Sequence, residues 1–131
     1  MSSSRKASSA ATAFTGRLLL ALIFLWSGWH KLSAPGTVAP FMTSHHIPFA
    51  GVLVYAAGAT ELIGGLLVLL GWQARTAAWL LVLFLIPTTL IFHTSLVVPF
   101  ADAGQARMQL GHVFSNLAIM GGLLVVAAHA P

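Results

Sequence analysis

The stretch "AGVLVYAAGATELIGGLLVLLGWQAR", residues 50–75, decides how this chain folds. Its apolar run, from about Pro48 to Gly71, has the length of about 20 residues that a helix needs to cross a bilayer core. One helical face carries small residues and a single acid: Val54, Ala57, Gly58, Glu61, Gly64, Gly65 and Val68. Because small residues let helix backbones approach closely in lipid, this face is predicted to point inward and to pack against other helices.

The composition of the whole chain agrees with a membrane protein. Of 131 residues, 58% are hydrophobic and 6% are charged, whereas soluble domains carry roughly 25% charged residues. The formal charge of +4 is small and lies near chain ends and loops, which indicates control of topology and not nucleic-acid binding. The chain has no cysteine, so disulfides, thiolate metal sites and cysteine catalysis are excluded.

Three further apolar runs flank this stretch, at about residues 14–32, 74–98 and 110–128. We therefore predict an all-α integral membrane four-helix bundle, with one transmembrane domain over residues 14–131 and a flexible basic cytoplasmic tail over residues 1–13. The link "GWQAR" is so short that the second and third helices must form an antiparallel hairpin. Residues 36–47, "GTVAPFMTSHHI", are too short to span and are interpreted as an interfacial segment, and residues 99–109, "PFADAGQARMQ", are interpreted as a polar loop.

The basic residues predict the orientation of the bundle. With the N-terminus inside, four basic residues face the cytoplasm (Arg5, Lys6, Arg17 and Arg75) and two face the other side (Lys31 and Arg107). This excess follows the positive-inside rule and predicts that both termini are cytoplasmic. A cleaved secretory signal is the competing interpretation of the first run, but that run is long for a signal and ends in Trp29, His30 and Lys31.

Glu61 is unusual for a membrane-spanning segment because its carboxyl group lies near the middle of the predicted helix. An ionised carboxylate at that depth costs at least ~2.5 kcal/mol, so it must be paired, hydrated or protonated. Arg17 and Lys31 lie roughly 10 Å to either side of the midplane along the first helix, and the sequence does not choose between them. A buried pair that only fixes helix packing is one interpretation, and a functional carboxylate is the other.

Five of the six histidines are predicted to gather at the outer membrane face: His30, His45, His46, His93 and His112. Neutral imidazoles there could ligate haem or donate hydrogen bonds to a quinone carbonyl, and Trp29 is a flat surface at that height for stacking. No HxxxH or HxH spacing occurs, so no metal site is predicted. The alternative is that histidine and tryptophan simply favour the interface.

The chain also resembles a known family in an ordered set of motifs. These are "GRLLLALIFLWSGWHKL" in the first helix, "ELIGG" in the second, "GWQAR" in the turn, "FH" closing the third helix and "FSNLAIMGGLL" in the fourth. Together they resemble the DoxX family of small four-helix inner-membrane proteins over about residues 16–125. In that resemblance Arg17, Lys31, Glu61, Arg75 and His93 match motif positions. Ser115 stands where similar sequences often carry lysine, which puts a charge role for the fourth helix in doubt.

The resemblance implies a multi-pass protein of a bacterial-type inner membrane with a redox-associated role. Relatives are linked to thiosulfate:quinone oxidoreductase, to subunits associated with quinol oxidase and to membrane oxidative-stress complexes. We therefore predict a membrane subunit of a quinone-linked electron-transfer assembly, such as an accessory subunit of a quinone oxidoreductase, and leave open whether the chain is itself an enzyme. Its expected partners are the lipid bilayer, a redox protein and a second copy of the chain, with no nucleic acid.

Two sets of site residues follow from these predictions. The expected catalytic residues are Glu61, His93 and Lys31, and the expected cofactor contacts are His93, His112, His30, Trp29 and Arg17. The sequence leaves the cofactor unknown, with quinone as one candidate and haem as a weaker one. Two other functions remain open: a noncatalytic membrane scaffold or assembly factor for a partner enzyme, and a small proton-coupled exporter.

Overall fold

The computed structural model describes residues 2–131, and in this range the chain forms five helices and no strand. The helices are α1 (Ser3–Ser33), α2 (Pro35–Ser44), α3 (Ala50–Leu70), α4 (Ala74–Phe92) and α5 (Ala103–His129). By length and composition, α1, α3, α4 and α5 can each cross a membrane. The prediction of an all-α membrane bundle with four spanning helices is confirmed.

Large apolar side chains cover the outside of the bundle. Leu19 is 64% exposed, Val52 is 70% exposed and Leu83 is 59% exposed. Side chains of this kind on three different helices would be costly in water and suit the acyl chains of a bilayer. The bilayer is therefore the medium that the outer surface contacts.

Helices α1 and α5 begin earlier in the chain than the hydrophobic runs suggested. The predicted flexible tail is helical from Ser3 onward, with Ser2 Oγ accepting a hydrogen bond from the Arg5 N–H at 3.3 Å; Met1 lies outside the described residues. Helix α5 begins at Ala103, because Asp102 accepts from the Gln105 N–H at 2.7 Å while the Gln105 side chain accepts from the Ala101 N–H. This reciprocal capping extends α5 through the segment expected to be a polar loop.

The predicted interfacial segment contains helix α2, which starts with a proline in its first turn. Met42 of α2 is buried against Ala50 and Val54 of α3. Two residues with left-handed backbone, His46 (φ 63°) and Phe49 (φ 55°), turn the chain from α2 into α3. Helix α2 therefore folds back over the end of the bundle where α3 begins.

Helix α3 contacts its neighbours through the face predicted from its small residues. The buried residues of α3 are Ala50, Val54, Gly58, Glu61, Gly64, Gly65 and Val68. A Cβ atom added to Gly28 of α1 would lie 2.6 Å from Leu62 N and 2.7 Å from Gly58 O, so the two backbones are in direct contact. A Cβ added to Gly64 would lie 2.9 Å from Cδ2 of Leu81 on α4, which is the end of a flexible side chain. The packing of α1 on α3 thus requires glycine at position 28, whereas the contact of Gly64 with α4 is close but involves side-chain atoms.

Replacing Gly28 with alanine should therefore disrupt the contact between α1 and α3. Because the added methyl group meets backbone atoms that cannot move aside, we expect Gly28→Ala to lower stability by about 1–3 kcal/mol or to prevent assembly. The matched control is Gly121→Ala on α5, where an added Cβ meets nothing within 4 Å. Thermal unfolding of the detergent-solubilised protein, followed by circular dichroism, measures both. Equal midpoints for the two variants would contradict the close packing.

The predicted orientation, with both termini in the cytoplasm, can be tested on single-cysteine variants because the described chain contains no cysteine. We expect Ser4→Cys and Ala130→Cys to react with a membrane-impermeant maleimide only in inverted vesicles. Ala101→Cys, in the loop between α4 and α5, should react only in intact spheroplasts. Labelling of Ser4→Cys from the outside of spheroplasts would show the opposite orientation.

Candidate functional site

A cavity of about 740 Å³ lies at the end of the bundle where α1 and α4 end and where α3 and α5 begin. Its volume falls in the range of about 300–1,000 Å³ typical of small-molecule sites. The walls are mostly apolar, and α2 contributes Val38, Phe41 and Met42 to them. The polar lining residues are Ser27, Lys31, Thr60, Glu61, Thr88, His93, His112 and Asn116. Small-molecule binding sites usually have mostly apolar walls with a small number of polar groups.

The first polar group in the cavity is an ion pair between α1 and α3. Lys31 Nζ lies 2.5 Å from Glu61 Oε1 and donates a hydrogen bond to Ser27 Oγ at 2.7 Å. The angles at Glu61 Oε1 are not those of a hydrogen bond, so the contact is an ion pair. Only 6% of the Glu61 side chain and 19% of the Lys31 side chain are exposed.

The close approach of α1 and α3 decides which cation pairs with Glu61. A Cβ atom added to Gly58 would lie 2.9 Å from Lys31 Cβ, so the lysine stem runs directly over the α3 backbone, one turn before Glu61. Arg17 lies near the middle of α1, beside Gly71 at the end of α3, about four helical turns before Lys31. Of the two cations that the sequence left open, the structure therefore pairs Glu61 with Lys31.

The second polar group combines two histidines at the ends of α4 and α5. His93 follows the last residue of α4, and its Nδ1–H donates to Gln109 Oε1 at 2.7 Å. The His93 and His112 rings stack with centroids 5.0 Å apart and an interplanar angle of 29°. With Nδ1 carrying the hydrogen, Nε2 of a neutral His93 is left as a proton acceptor.

Gln109 and Asn116 are site residues that the sequence interpretation missed or left without a role. Asn116 Nδ2 donates to Thr89 Oγ1 at 2.9 Å and joins α5 to α4, where Thr89 is 5% exposed. Gln109 was assigned to a polar loop, so its contact with His93 was not expected. The capping pattern at Asp102 and Gln105 was the available signal, because a helix starting there places Gln109 one turn before His112.

Aromatic rings lie at one wall of the cavity. Phe41 of α2 stacks on Phe92 of α4 with centroids 5.4 Å apart and an interplanar angle of 25°. His45 lies against the same Phe92 ring at 5.0 Å, tilted by 56°. These contacts hold α2 over the end of α4 and present a flat apolar surface to the cavity.

Three of the predicted cofactor contacts do not line this cavity. Arg17 lies at the far end of the bundle, and Trp29 is 63% exposed on the outside. His30 stacks on Trp26 and has a contact of 3.1 Å with Thr37 Oγ1. Successive helical residues differ by about 100° in direction, so a helix that turns Gly28 and Lys31 toward α3 directs Trp29 and His30 elsewhere. Glu61, Lys31, His93 and His112 are the predicted site residues that share the cavity.

Comparison with known proteins agrees with the membrane fold. The family model described as DoxX matches residues 12–94. The "Inner membrane protein YqjF" of Escherichia coli (strain K12) is 29% identical to the chain over 115 residues, which cover 88% of this chain and 81% of the relative. No solved structure matches the chain.

The coupling between Lys31 and Glu61 can be measured by a double-mutant cycle. We expect Glu61→Gln to lower the free energy of unfolding by about 3 kcal/mol, since it leaves the lysine charge without its partner in a low-dielectric site. The double variant Lys31→Met/Glu61→Gln should recover most of that loss. Reversible unfolding in mixed micelles, followed by tryptophan fluorescence, gives the four free energies. Additive effects of the two single substitutions would show that the charges do not interact.

Proposed function

This chain belongs to the DoxX family, whose model covers residues 12–94, and from that premise we propose that it is the membrane subunit of a quinone-linked electron-transfer assembly. It is a multi-pass inner-membrane protein, as its four apolar helices and its Escherichia coli relative show. The observation that supports the redox role is the cavity beneath α2. There the pair of Lys31 and Glu61 and the hydrogen-bonded His93 share one largely apolar enclosure.

The residues of the cavity fit the chemistry of a quinone. Its head group is a flat apolar ring with a carbonyl on either side, and it would supply two-electron, two-proton redox chemistry when bound. The cavity has apolar walls with the Phe92 ring among them, and its polar groups fall into two sets on different helix pairs. Lys31 and Ser27 lie on α1, and His93 and His112 lie on α4 and α5. These are the side chains that would hold the two carbonyl oxygens.

Proton movement at the first set follows from the contacts of Lys31. While Glu61 is ionised, the lysine charge compensates it in a site where a lone carboxylate would be costly. If Glu61 takes a proton at Oε1, Lys31 keeps its hydrogen bond to Ser27 Oγ, but its charge loses its partner. Protonation of Glu61 is therefore coupled to the charge on Lys31.

The second set connects the cavity with the end of the bundle. Gln109 fixes the His93 ring through Nδ1, so proton exchange is confined to Nε2. The stacked His112 is exposed and provides a second titratable ring beside it. A proton can pass between the cavity and the outside through this pair of rings.

Electron delivery is assigned in this proposal to a partner redox protein. The chain has no cysteine, so no thiol pair of its own can carry electrons. Helix α2 and the polar loop between α4 and α5 lie at the same end as the cavity, and they are the segments that a partner would meet first. The chain is then an accessory subunit that positions the quinone and supplies protons to it, while its partner carries out electron transfer.

Photolabelling with an azido-substituted benzoquinone tests this site on the full chain in nanodiscs. We expect labelled peptides from α2 and from the end of α4, which line the cavity. His93→Gln and Lys31→Met should each reduce labelling about tenfold, as expected when a hydrogen bond or charge worth about 1.4 kcal/mol is lost. The matched control is His46→Gln, at the same end of the bundle but exposed and outside the cavity lining.

Other photolabelling results would contradict the quinone site and favour another function. Labelling that spreads over all lipid-facing helices, or that persists in His93→Gln and Lys31→Met, contradicts a quinone site. Each variant must remain folded at the temperature of the labelling experiment for its loss of labelling to count. A folded chain without specific labelling would favour the noncatalytic scaffold, and proton-driven dye efflux from proteoliposomes would favour the exporter.

A further inference from the structure

A second cavity of about 940 Å³ lies between α1 and α5, at the end of the bundle opposite to the first. One helical face of α1 and one of α5 line it; among the residues are Gly16, Arg17, Leu20, Gly122, Val126 and His129. Apart from Arg17 and His129, these residues are glycines or have apolar side chains. The two helices approach each other at Gly122 and Leu20, where a Cβ added to Gly122 would lie 3.4 Å from Leu20 Cδ1. The groove is therefore apolar along its length, with one permanent cation.

Arg17 has no acidic side chain available as a counter-ion. The chain contains only two acidic side chains. Glu61 pairs with Lys31, and Asp102 caps the N-terminus of α5 at the other end of the bundle. In residues 2–131 the pair of Lys31 and Glu61 is the ion pair found, and Arg17 takes part in none. A guanidinium near the membrane surface attracts anionic groups, so a counter-ion from outside the chain would stabilise it.

The guanidinium of Arg17 is also not used for capping of α3. It lies beside Gly71, where an added Cβ would meet its Nη2 at 3.5 Å. The last-turn carbonyls of Leu67 and Val68 already accept hydrogen bonds from the N–H groups of Trp72 and Gly71. The Arg17 Nε atom is buried and has no hydrogen-bond partner among the described residues. This donor therefore remains available to a ligand.

The position of Arg17 along the bundle corresponds to lipid head groups. Trp72, next to Gly71, is 67% exposed, and tryptophan is enriched at the membrane–water interface. His129 in the last turn of α5 lines the same cavity. The cation thus lies near the interface, and the apolar remainder of the groove extends from it toward the membrane interior.

We propose that the groove between α1 and α5 binds one anionic phospholipid, with its phosphate at Arg17 and one acyl chain along Leu20, Ile23 and Val126. Arginine presents a planar fork of donors that matches a phosphate group, and basic pockets between membrane helices bind anionic lipid head groups. Charge complementarity selects this occupant. The phosphate position at Arg17 lies at the opposite end of the bundle from the quinone site, although Ile23 lines both cavities, and it does not depend on the redox function proposed above.

Native mass spectrometry of the full chain tests this proposal. The protein is released from nanodiscs that contain equal amounts of phosphatidylglycerol and phosphatidylcholine, and the lipid that remains bound is identified. We expect one phosphatidylglycerol per chain, retained about fivefold over phosphatidylcholine. This preference corresponds to the attraction that one arginine near a membrane surface contributes toward an anionic lipid. Arg17→Gln should abolish the preference and Arg17→Lys should keep most of it. Arg107→Gln, an exposed arginine outside both cavity linings, is the matched control.

A second variant keeps the test valid if Arg17→Gln fails to fold. A Cβ added to Gly16 meets nothing within 4 Å, so Gly16→Phe should fill the groove and displace the lipid without disturbing a helix contact. Equal retention of the two lipids by the unmodified chain would overturn the proposal. So would displacement of phosphatidylglycerol by inorganic phosphate alone, which would indicate a simple anion site. A chain that dimerises through this groove, with no lipid retained, would also overturn it.

Discussion

The contact between α1 and α3 is the constraint on which the rest of the structure depends. Gly28 and Gly58 bring the two backbones together, and this brings Lys31 within 2.5 Å of Glu61. Neither charge would be stable alone at this depth, and the close approach of the helices places the lysine stem over the α3 backbone beside Glu61. The packing of small residues and the neutralisation of charge are therefore one feature of this bundle.

The cavity at the site follows from that contact. Because α3 also packs on α4 through Gly64, the ion pair faces the space between α3, α4 and the start of α5, which α2 covers. The Gln109 contact then places His93 on the other wall of the same space. Two titratable sets thus face one enclosure from different helix pairs, and this arrangement makes a proton-coupled role for the chain chemically reasonable.

The two ends of the bundle differ in how their charges are compensated. At the α2 end the lysine has a carboxylate of the same chain, whereas at the other end Arg17 has none. Ile23 and Ile119 line both cavities, so the seam between α1 and α5 is loosely packed over much of its length. The interface between α1 and α3 is therefore closely packed, whereas the interface between α1 and α5 leaves a groove that is open to lipid.

The sequence alone determined the four spanning helices, the inward face of α3 and the need for a partner of Glu61. These features follow from the length of the hydrophobic runs, the spacing of small residues and the cost of a charge in lipid, which are all local properties of the sequence. It also indicated four of the cavity residues, because their helix positions placed them at one membrane face. Only the tertiary structure decided between Arg17 and Lys31, removed Trp29 and His30 from the cavity and showed Gln109 as the hydrogen-bond partner of His93. These outcomes depend on the rotation of each helix about its axis and on a helix start set by capping. Such rotations are determined by contacts between helices far apart in the chain, which periodicity within one helix does not contain.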